Sequence, residues 1–172
     1  MNILKEEKGE MKMSEKVIIY GKMDFQKEID ITDPCYDRDE WYRLNEIPIK
    51  PGEYICYTVK DIKGEGNWEV TKRIGIIHKS VESQQENPDV EWSVLGVIGV
   101  DAGLAGFFND KKDYKDREWE EFCDHIGAGG EAWIYDNGFF SNSGYGDGSY
   151  VVYGRALGGK ETDHLEIRFI EE

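Results

Sequence analysis

The sequence predicts an α+β, mostly-β domain, built as an antiparallel sheet or sandwich with one substantial amphipathic helix. Short runs of β-branched and aromatic residues recur between turn signals, and a helical period of apolar residues occurs once. No internal repeat is visible. A chain of 172 residues has the size of one ordinary domain and can bury a core. We therefore expect a flexible tail over residues 1–15 and a single globular domain over 16–172.

The first hundred residues contain the patterns of several strands. We predict strands over residues 16–21, 28–32, 53–60, 68–78 and 92–100. Asp33-Pro34 and Pro51-Gly52 are the turn signals, because proline lacks a backbone donor and restricts the residue before it. After Pro34 we expect a short polar segment with Trp41 as its anchor, and residues 81–89 read as a polar loop.

The spacing of apolar residues becomes that of a helix between residues 113 and 126. Trp119, Phe122, Cys123 and Ile126 stand at i, i+3, i+4 and i+7, which gives one apolar stripe opposite an acidic face. We expect this stripe to pack on a sheet and Gly127 to end the helix. An antiparallel meander is predicted beyond it, with strands at 132–135, 139–142, 149–155 and 164–170.

The charge distribution limits the classes of partner. A net charge of −15 argues against direct nucleic-acid binding, which needs lysines and arginines on one face. The acids are regional: residues 24–46 hold eight acids and three bases, and residues 82–101 hold five acids and no base. Acidic patches of this kind serve either solubility alone or the capture of a basic partner.

The three cysteines, Cys35, Cys56 and Cys123, form an odd set without a CxxC pair. No apolar signal segment precedes them, so we expect reduced thiols and a cytoplasmic protein. The longest apolar stretches are too short to cross a bilayer, and no membrane segment is predicted. A thiol dyad of Cys35 with His78 or His125 has no support from spacing, so we predict that no cysteine is a nucleophile.

Three loops with acids beside glycines are the candidate site. They span residues 33–36, 101–106 and 144–149, and we expect them to meet at one end of the sheet. The candidate residues are Asp33, Cys35, Asp101, Gly103, Asp147 and Gly148. If the loops meet, Asp33, Asp101 and Asp147 form a hard-oxygen site for Mg²⁺ or Ca²⁺. The other interpretation is that these are ordinary turn residues.

Short motifs in the same loops resemble an uncharacterised bacterial family, domain of unknown function 4241. The motifs are the Asp33-Pro34 turn, the strand end at residues 100–103 followed by Phe107-Phe108, and the glycine-rich loop at 143–150. The resemblance covers roughly residues 28–170. It implies a bacterial or phage origin and no known activity.

Two functions remain open. The first is a non-catalytic acidic binding protein that needs no cofactor and acts through a protein partner with a basic surface. Small immunity proteins and phage-encoded inhibitors are of this kind. It rests on the acidity, on the abundant aromatic residues and on the lack of a convincing catalytic set. The alternative is a divalent-metal-dependent enzyme or ligand-binding domain that uses the Asp-Gly loops.

Overall fold

The structure, a computed structural model, describes residues 14–63 and 68–171. Within these ranges the chain is mostly β, and all strand pairs are antiparallel. The predicted fold class is confirmed. The elements are β1 Ser14–Phe25, β2 Glu28–Thr32, β3 Leu44–Pro48, β4 Gly52–Lys63, β5 Trp68–His78, a 3₁₀ segment Lys79–Gln84, β6 Ser93–Val100, β7 Leu104–Phe108, α1 Arg117–Gly127, β8 Ala132–Tyr135, β9 Gly138–Asn142, β10 Gly148–Arg155 and β11 His164–Arg168.

The strands form two sheets that pack face to face. The first sheet has the order β1-β4-β5-β11-β10-β6, and the second has the order β3-β2-β7-β9-β8. One hydrophobic cluster takes side chains from both sheets, including Ile74, Ile76 and Leu165 of the first and Ile31, Phe107 and Phe139 of the second. Successive side chains of a strand point to opposite faces. The residues that alternate with this core therefore lie on the outer face of each sheet.

The start of the domain differs from the prediction. Residues 1–13 of the predicted tail lie outside the described residues, but Ser14 and Glu15 already belong to β1. The strand begins there because β4 continues far enough to pair with it, and Glu15 forms an ion pair with Lys72 at 2.7 Å. Within the described ranges, neither helical segment has the length and apolar character needed to cross a bilayer.

The helix α1 packs on the outer face of the second sheet, and it begins later than predicted, at Arg117. Phe122 is fully buried in a cluster with Phe108 and Phe140, and Ile126 lies at its border. The expectation that Trp119 is buried is wrong, because 42% of it is exposed. Its ring lies over Phe122, with the ring centroids 5.8 Å apart. One face of the indole therefore stays in solvent.

Four further features differ from expectation. Strands β3 and β7 were not predicted, and β7 takes up part of the predicted loop 101–106. A 3₁₀ segment replaces the first part of the expected polar loop. The prediction of Trp41 as an anchor is wrong, since Trp41 is 80% exposed. Arg43 is the buried side chain there, because its guanidinium donates to the carbonyl oxygen of Tyr36 at 3.0 Å and pairs with Asp30 at 3.3 Å.

Candidate functional site

The loops at residues 33–36 and 101–106 are joined by the carboxylate of Asp33. Its Oδ2 accepts hydrogen bonds from the backbone amides of Asp101 at 2.9 Å and Ala102 at 2.8 Å. Its Oδ1 accepts from the amide of Cys35 at 2.8 Å. Asp33 is completely buried, and this burial raises the pKa of its carboxyl group although the three amide bonds oppose the rise. Asp33 therefore holds the two loops together from the inside.

The third loop joins the other two at the end of β6. The amide of Ser143 donates to the carbonyl oxygen of Gly103 at 3.0 Å, and Gly148 is the cross-strand partner of Val100. Asp101 follows Val100 and Asp147 precedes Gly148, so both exposed acids lie directly beyond the paired ends of β6 and β10. The structure thus brings all three predicted loops to one end of the first sheet, called the loop cluster below.

The three carboxylates of the loop cluster do not share one environment. The oxygens of Asp33 point at backbone amides inside the protein, whereas Asp101 and Asp147 are exposed. In the part of the chain that the structure describes, no three side chains of His, Cys, Asp or Glu gather as a possible metal site. The Mg²⁺ or Ca²⁺ hypothesis remains an untested alternative.

Cys35 lies partly buried beneath the loop cluster, beside Asp33. Burial, together with the charge and hydrogen bond of Asp33, raises the pKa of the Cys35 thiol to about 12. Arg38, the nearest base in the sequence, directs its guanidinium to Asp30 at 3.3 Å and Glu46 at 3.0 Å instead. This environment favours the neutral thiol, which is a weak nucleophile.

An exposed aromatic pair borders the loop cluster. Trp41 is 80% and Tyr42 is 45% exposed, and their ring centroids are 4.3 Å apart. The carbonyl oxygen of Tyr42 accepts a hydrogen bond from the amide of Gly99 in β6 at 2.9 Å, and the Tyr42 side chain lies over Gly99, where a Cβ would come within 3.0 Å of it. The pair is therefore attached to the edge of the first sheet.

The segment that carries this pair is fixed at further points. The guanidinium of Arg43 holds the carbonyl oxygen of Tyr36, and the amide of Arg38 donates to Asp113 Oδ1 at 2.7 Å. The Asn45 amide group also donates to the carbonyl oxygen of Arg38. Residues 36–42 consequently form a braced loop that presents its aromatic side chains outward.

Most of the charges that face solvent on this loop are negative. Asp37, Asp39 and Glu40 are exposed, and exposed Asp101 follows at the end of β6. The two arginines of the segment are both paired: the side chain of Arg43 is fully buried against Asp30, and Arg38, which is 42% exposed, pairs with Asp30 and Glu46. We call Tyr36, Asp37, Asp39, Glu40, Trp41, Tyr42 and Asp101 the acidic aromatic surface.

Sequence reasoning located the loop cluster but missed this surface. The adjacent Trp41-Tyr42 pair within an acid-rich stretch was the available signal, yet a large aromatic residue is more often read as a core anchor. Comparison with known proteins adds nothing to the geometry: no family model, curated protein or solved structure matches the chain.

Proposed function

We propose that this protein is a non-catalytic binding protein that captures a protein partner with a basic surface. The contact is made by the acidic aromatic surface. The single observation that carries the proposal is the exposure of Trp41, at 80%, on a loop that is otherwise fixed. An exposed tryptophan leaves a large apolar area in water, and such a side chain gains several kcal/mol when a partner covers it.

The composition of the surface is that of an interface centre. Tryptophan and tyrosine are enriched among the residues that dominate binding energies. The braced loop also reduces the conformational entropy lost on binding, because its backbone is already held in place. Trp41 and Tyr42 therefore supply the expected affinity, and their rigid support increases it.

The charge around the aromatic pair selects the partner. Exposed Asp37, Asp39, Glu40 and Asp101 give this face a negative potential, because Arg43 is buried and the guanidinium of Arg38 is already paired with Asp30 and Glu46. A negative patch attracts a basic surface and speeds its capture. A nucleic acid would be repelled by the same charges.

Affinity capture followed by direct binding tests the proposal. Proteins from the source cells are captured on the immobilised chain, and each captured protein is purified for titration against the chain. We expect a basic partner whose affinity falls by about ten-fold or more with Trp41→Ala, as for a typical interface hot spot. Trp119→Ala is the matched control, since Trp119 is also partly exposed but lies on α1. If no captured partner distinguishes the two variants, the proposal is wrong.

The role of negative charge in partner binding is tested by comparing two charge-reversal variants. Asp39→Lys combined with Glu40→Lys reverses two exposed charges of the surface, and Glu120→Lys combined with Asp124→Lys reverses two exposed charges of α1. We expect only the first pair to slow association and to weaken its dependence on salt. Equal effects of both pairs would mean that total charge, rather than this surface, attracts the partner.

A more specific form of the proposal is that the chain acts as an immunity or inhibitor protein. In that role, capture blocks the activity of the partner, so the purified partner should lose activity when the chain is added in equal amount. The Trp41→Ala variant should restore that activity in proportion to its weaker binding. A partner that stays active in the saturated complex would contradict inhibition while leaving the binding proposal intact.

A further inference from the structure

A cleft of about 670 Å³ lies on the outer face of the first sheet, away from the acidic aromatic surface. Its floor is formed by β5, β10 and β11, and the segment 85–92 forms one wall. Of the described residues, four with basic side chains line it, in a chain whose net charge is −15. They are Lys72, Arg73, Arg155 and Arg168. Its volume is in the range of small-molecule sites.

Arg73 and Arg168 occupy directly opposite positions on neighbouring strands. Like charges in such a pair destabilise a sheet. One carboxylate serves both: Glu166 accepts from Arg73 Nε at 3.2 Å and from Arg168 Nε at 3.1 Å. Because Glu166 accepts from the Nε atoms, it does not occupy the terminal Nη atoms of either guanidinium group. Arg73 Nη2 also forms an ion pair with Glu15 Oε1 at 3.7 Å, whereas the described residues offer no such partner to the Nη atoms of Arg168.

The guanidinium of Arg168 is held in place before any ligand arrives. Its central carbon lies 4.8 Å from the ring centroid of Trp92 and 4.1 Å from that of Tyr153. Among the described residues, its two terminal nitrogens have no hydrogen-bond acceptor, and the side chain is 24% exposed. Stacked arginine with a free fork is a typical arrangement for bidentate binding of an oxyanion.

Arg155 adds positive charge and shapes the wall. Its Nη atoms donate to the carbonyl oxygens of Gln85, Asn87 and Val90, at 2.6 to 3.0 Å. Its guanidinium also lies 4.3 Å from the Trp92 ring centroid. No carboxylate within the described ranges comes within ion-pair distance of it. The positive charge behind Trp92 is therefore not neutralised by a direct partner.

Acidic and apolar residues of the cleft limit the kind of anion that can bind there. Exposed Glu86, Glu91 and Glu171 line it, and none of them pairs with the arginines among the described residues. Their charge disfavours a nucleic acid or another long polyanion. Pro88, Val90 and Ile170 give it an apolar portion. These properties fit a compact molecule with one strongly charged group and an apolar body.

We propose that this cleft binds a small phosphate monoester, whose terminal oxygens are held by Arg168 and Arg73 while its organic part contacts Val90 and Ile170. The guanidinium groups of Arg73 and Arg168, which stand opposite each other and share Glu166, together offer more donors than a carboxylate with two oxygens can accept. A phosphoryl group with three terminal oxygens fits them better. The site shares no residue with the acidic aromatic surface, so it is independent of the proposed partner binding.

Calorimetric titration of the full chain with phenyl phosphate tests this site, with inorganic phosphate and benzoate in parallel. We expect phenyl phosphate to bind most tightly, inorganic phosphate to bind more weakly, and benzoate to bind weakest. Arg168→Gln should weaken phenyl phosphate binding by about ten-fold, as expected for loss of a charge-assisted bidentate contact. Arg117→Gln is the control, because Arg117 is an exposed arginine on α1.

Further variants keep the outcome decisive. Arg168→Lys retains the charge but loses the fork, and it should also bind phenyl phosphate more weakly than the unaltered chain. Trp41→Ala should leave this binding unchanged. Three results would each overturn the proposal. They are no binding of phenyl phosphate at millimolar concentration, binding by the Arg168 variants that is as tight as that of the unaltered chain, and tighter binding of benzoate than of phenyl phosphate.

Discussion

Arg155 donates a hydrogen bond from Nε to Nδ1 of His164, at 3.1 Å. A guanidinium has no acceptor, so Nδ1 is unprotonated and Nε2 of this neutral imidazole carries the proton. Nε2 therefore donates to the Tyr57 hydroxyl at 2.7 Å, which donates in turn to Glu166 Oε2 at 2.7 Å. The chain of bonds has one direction, and it ends at the carboxylate that holds Arg73 and Arg168.

This series of hydrogen bonds predicts that the stability of the fold decreases in acid. Burial, together with nearby Arg155 and Arg168, lowers the pKa of His164 to about 3. An unfolded histidine takes up its proton near pH 6.5. Between these values the unfolded state binds more protons, so the free energy of unfolding falls as the pH falls from about 6.5 towards 3. The full difference is on the order of a few kcal/mol.

Urea unfolding from pH 7 to pH 4 measures this effect. His164→Gln keeps an acceptor for Arg155 and a donor for Tyr57 but cannot titrate, so its stability should decrease less steeply than that of the unaltered chain. His125→Gln changes an exposed histidine and is the control. Parallel pH profiles for the unaltered chain and His164→Gln would contradict the assignment.

Gly75 makes the same network possible. It is the cross-strand partner of Tyr57, and a Cβ at this position would overlap the tyrosine ring. Because Tyr57 is fully buried and bonded to His164 and Glu166, the ring cannot move aside freely. We expect Gly75→Ala to lower the free energy of unfolding by about 1–3 kcal/mol, as for an overpacked core.

Gly127→Ala is the control for Gly75→Ala. It ends α1, and a Cβ there would meet no atom within 4 Å. Gly127→Ala should be neutral or stabilising by up to about 1 kcal/mol, because alanine favours the helix. Chemical denaturation of both variants is the measurement. A similar cost at the two positions would exclude a steric role for Gly75.

The sequence predicted the strands with strong alternation but not the polar network or the cleft. Strand β11 was found because Leu165 and Ile167 alternate with polar residues. The function of those polar residues depends on cross-strand register, which places Arg73 opposite Arg168 although they are far apart in the chain. Local patterns carry no information on such pairs. Strand β3 was missed because its residues, Leu44–Pro48, include asparagine, glutamate and proline.

The apolar stripe of α1 gives a third prediction. Phe122 is fully buried, with its ring centroid 5.6 Å from that of Phe140 and 4.9 Å from that of Tyr114. Phe122→Ala should cost about 3–5 kcal/mol, as is usual for a large buried aromatic residue. Trp119→Ala removes a side chain that is 42% exposed and should cost clearly less. Equal losses in thermal or urea unfolding would contradict this packing.

Cys35 gives a fourth prediction, on reactivity. Because its thiol has a pKa of about 12, it contains very little thiolate at neutral pH. We expect iodoacetamide to modify Cys35 slowly in the native chain at pH 7.5. The unfolded chain in urea is the control and should be modified at Cys35, Cys56 and Cys123. Rapid stoichiometric labelling of native Cys35, measured by peptide mass spectrometry, would reverse the conclusion that it is not a nucleophile.

The loop cluster was anticipated from its acids and glycines, but the roles of the acids were not. Asp33 and Asp101 look alike in sequence, each at the end of a strand. Only the fold shows that the first is buried against three amides and that the second faces solvent. Whether a carboxylate serves as an internal acceptor or as a surface charge depends on packing between distant segments, so sequence spacing could not separate the two.

The contrast between these two acids gives the last prediction. Asparagine at position 33 has one acceptor oxygen, while its NH₂ group must face an amide donor, so at least one backbone amide loses its bond. Asp33→Asn should therefore lower the free energy of unfolding by about 1–3 kcal/mol, the usual cost of a buried donor left without a partner. Asp101→Asn changes an exposed carboxylate and should stay within about 0.5 kcal/mol. Urea unfolding measures both, and hydrogen exchange should show faster opening at the amides of Asp101 and Ala102 in Asp33→Asn alone. Equal stabilities of the two variants, with unchanged exchange, would mean that Asp33 does not hold the loops together.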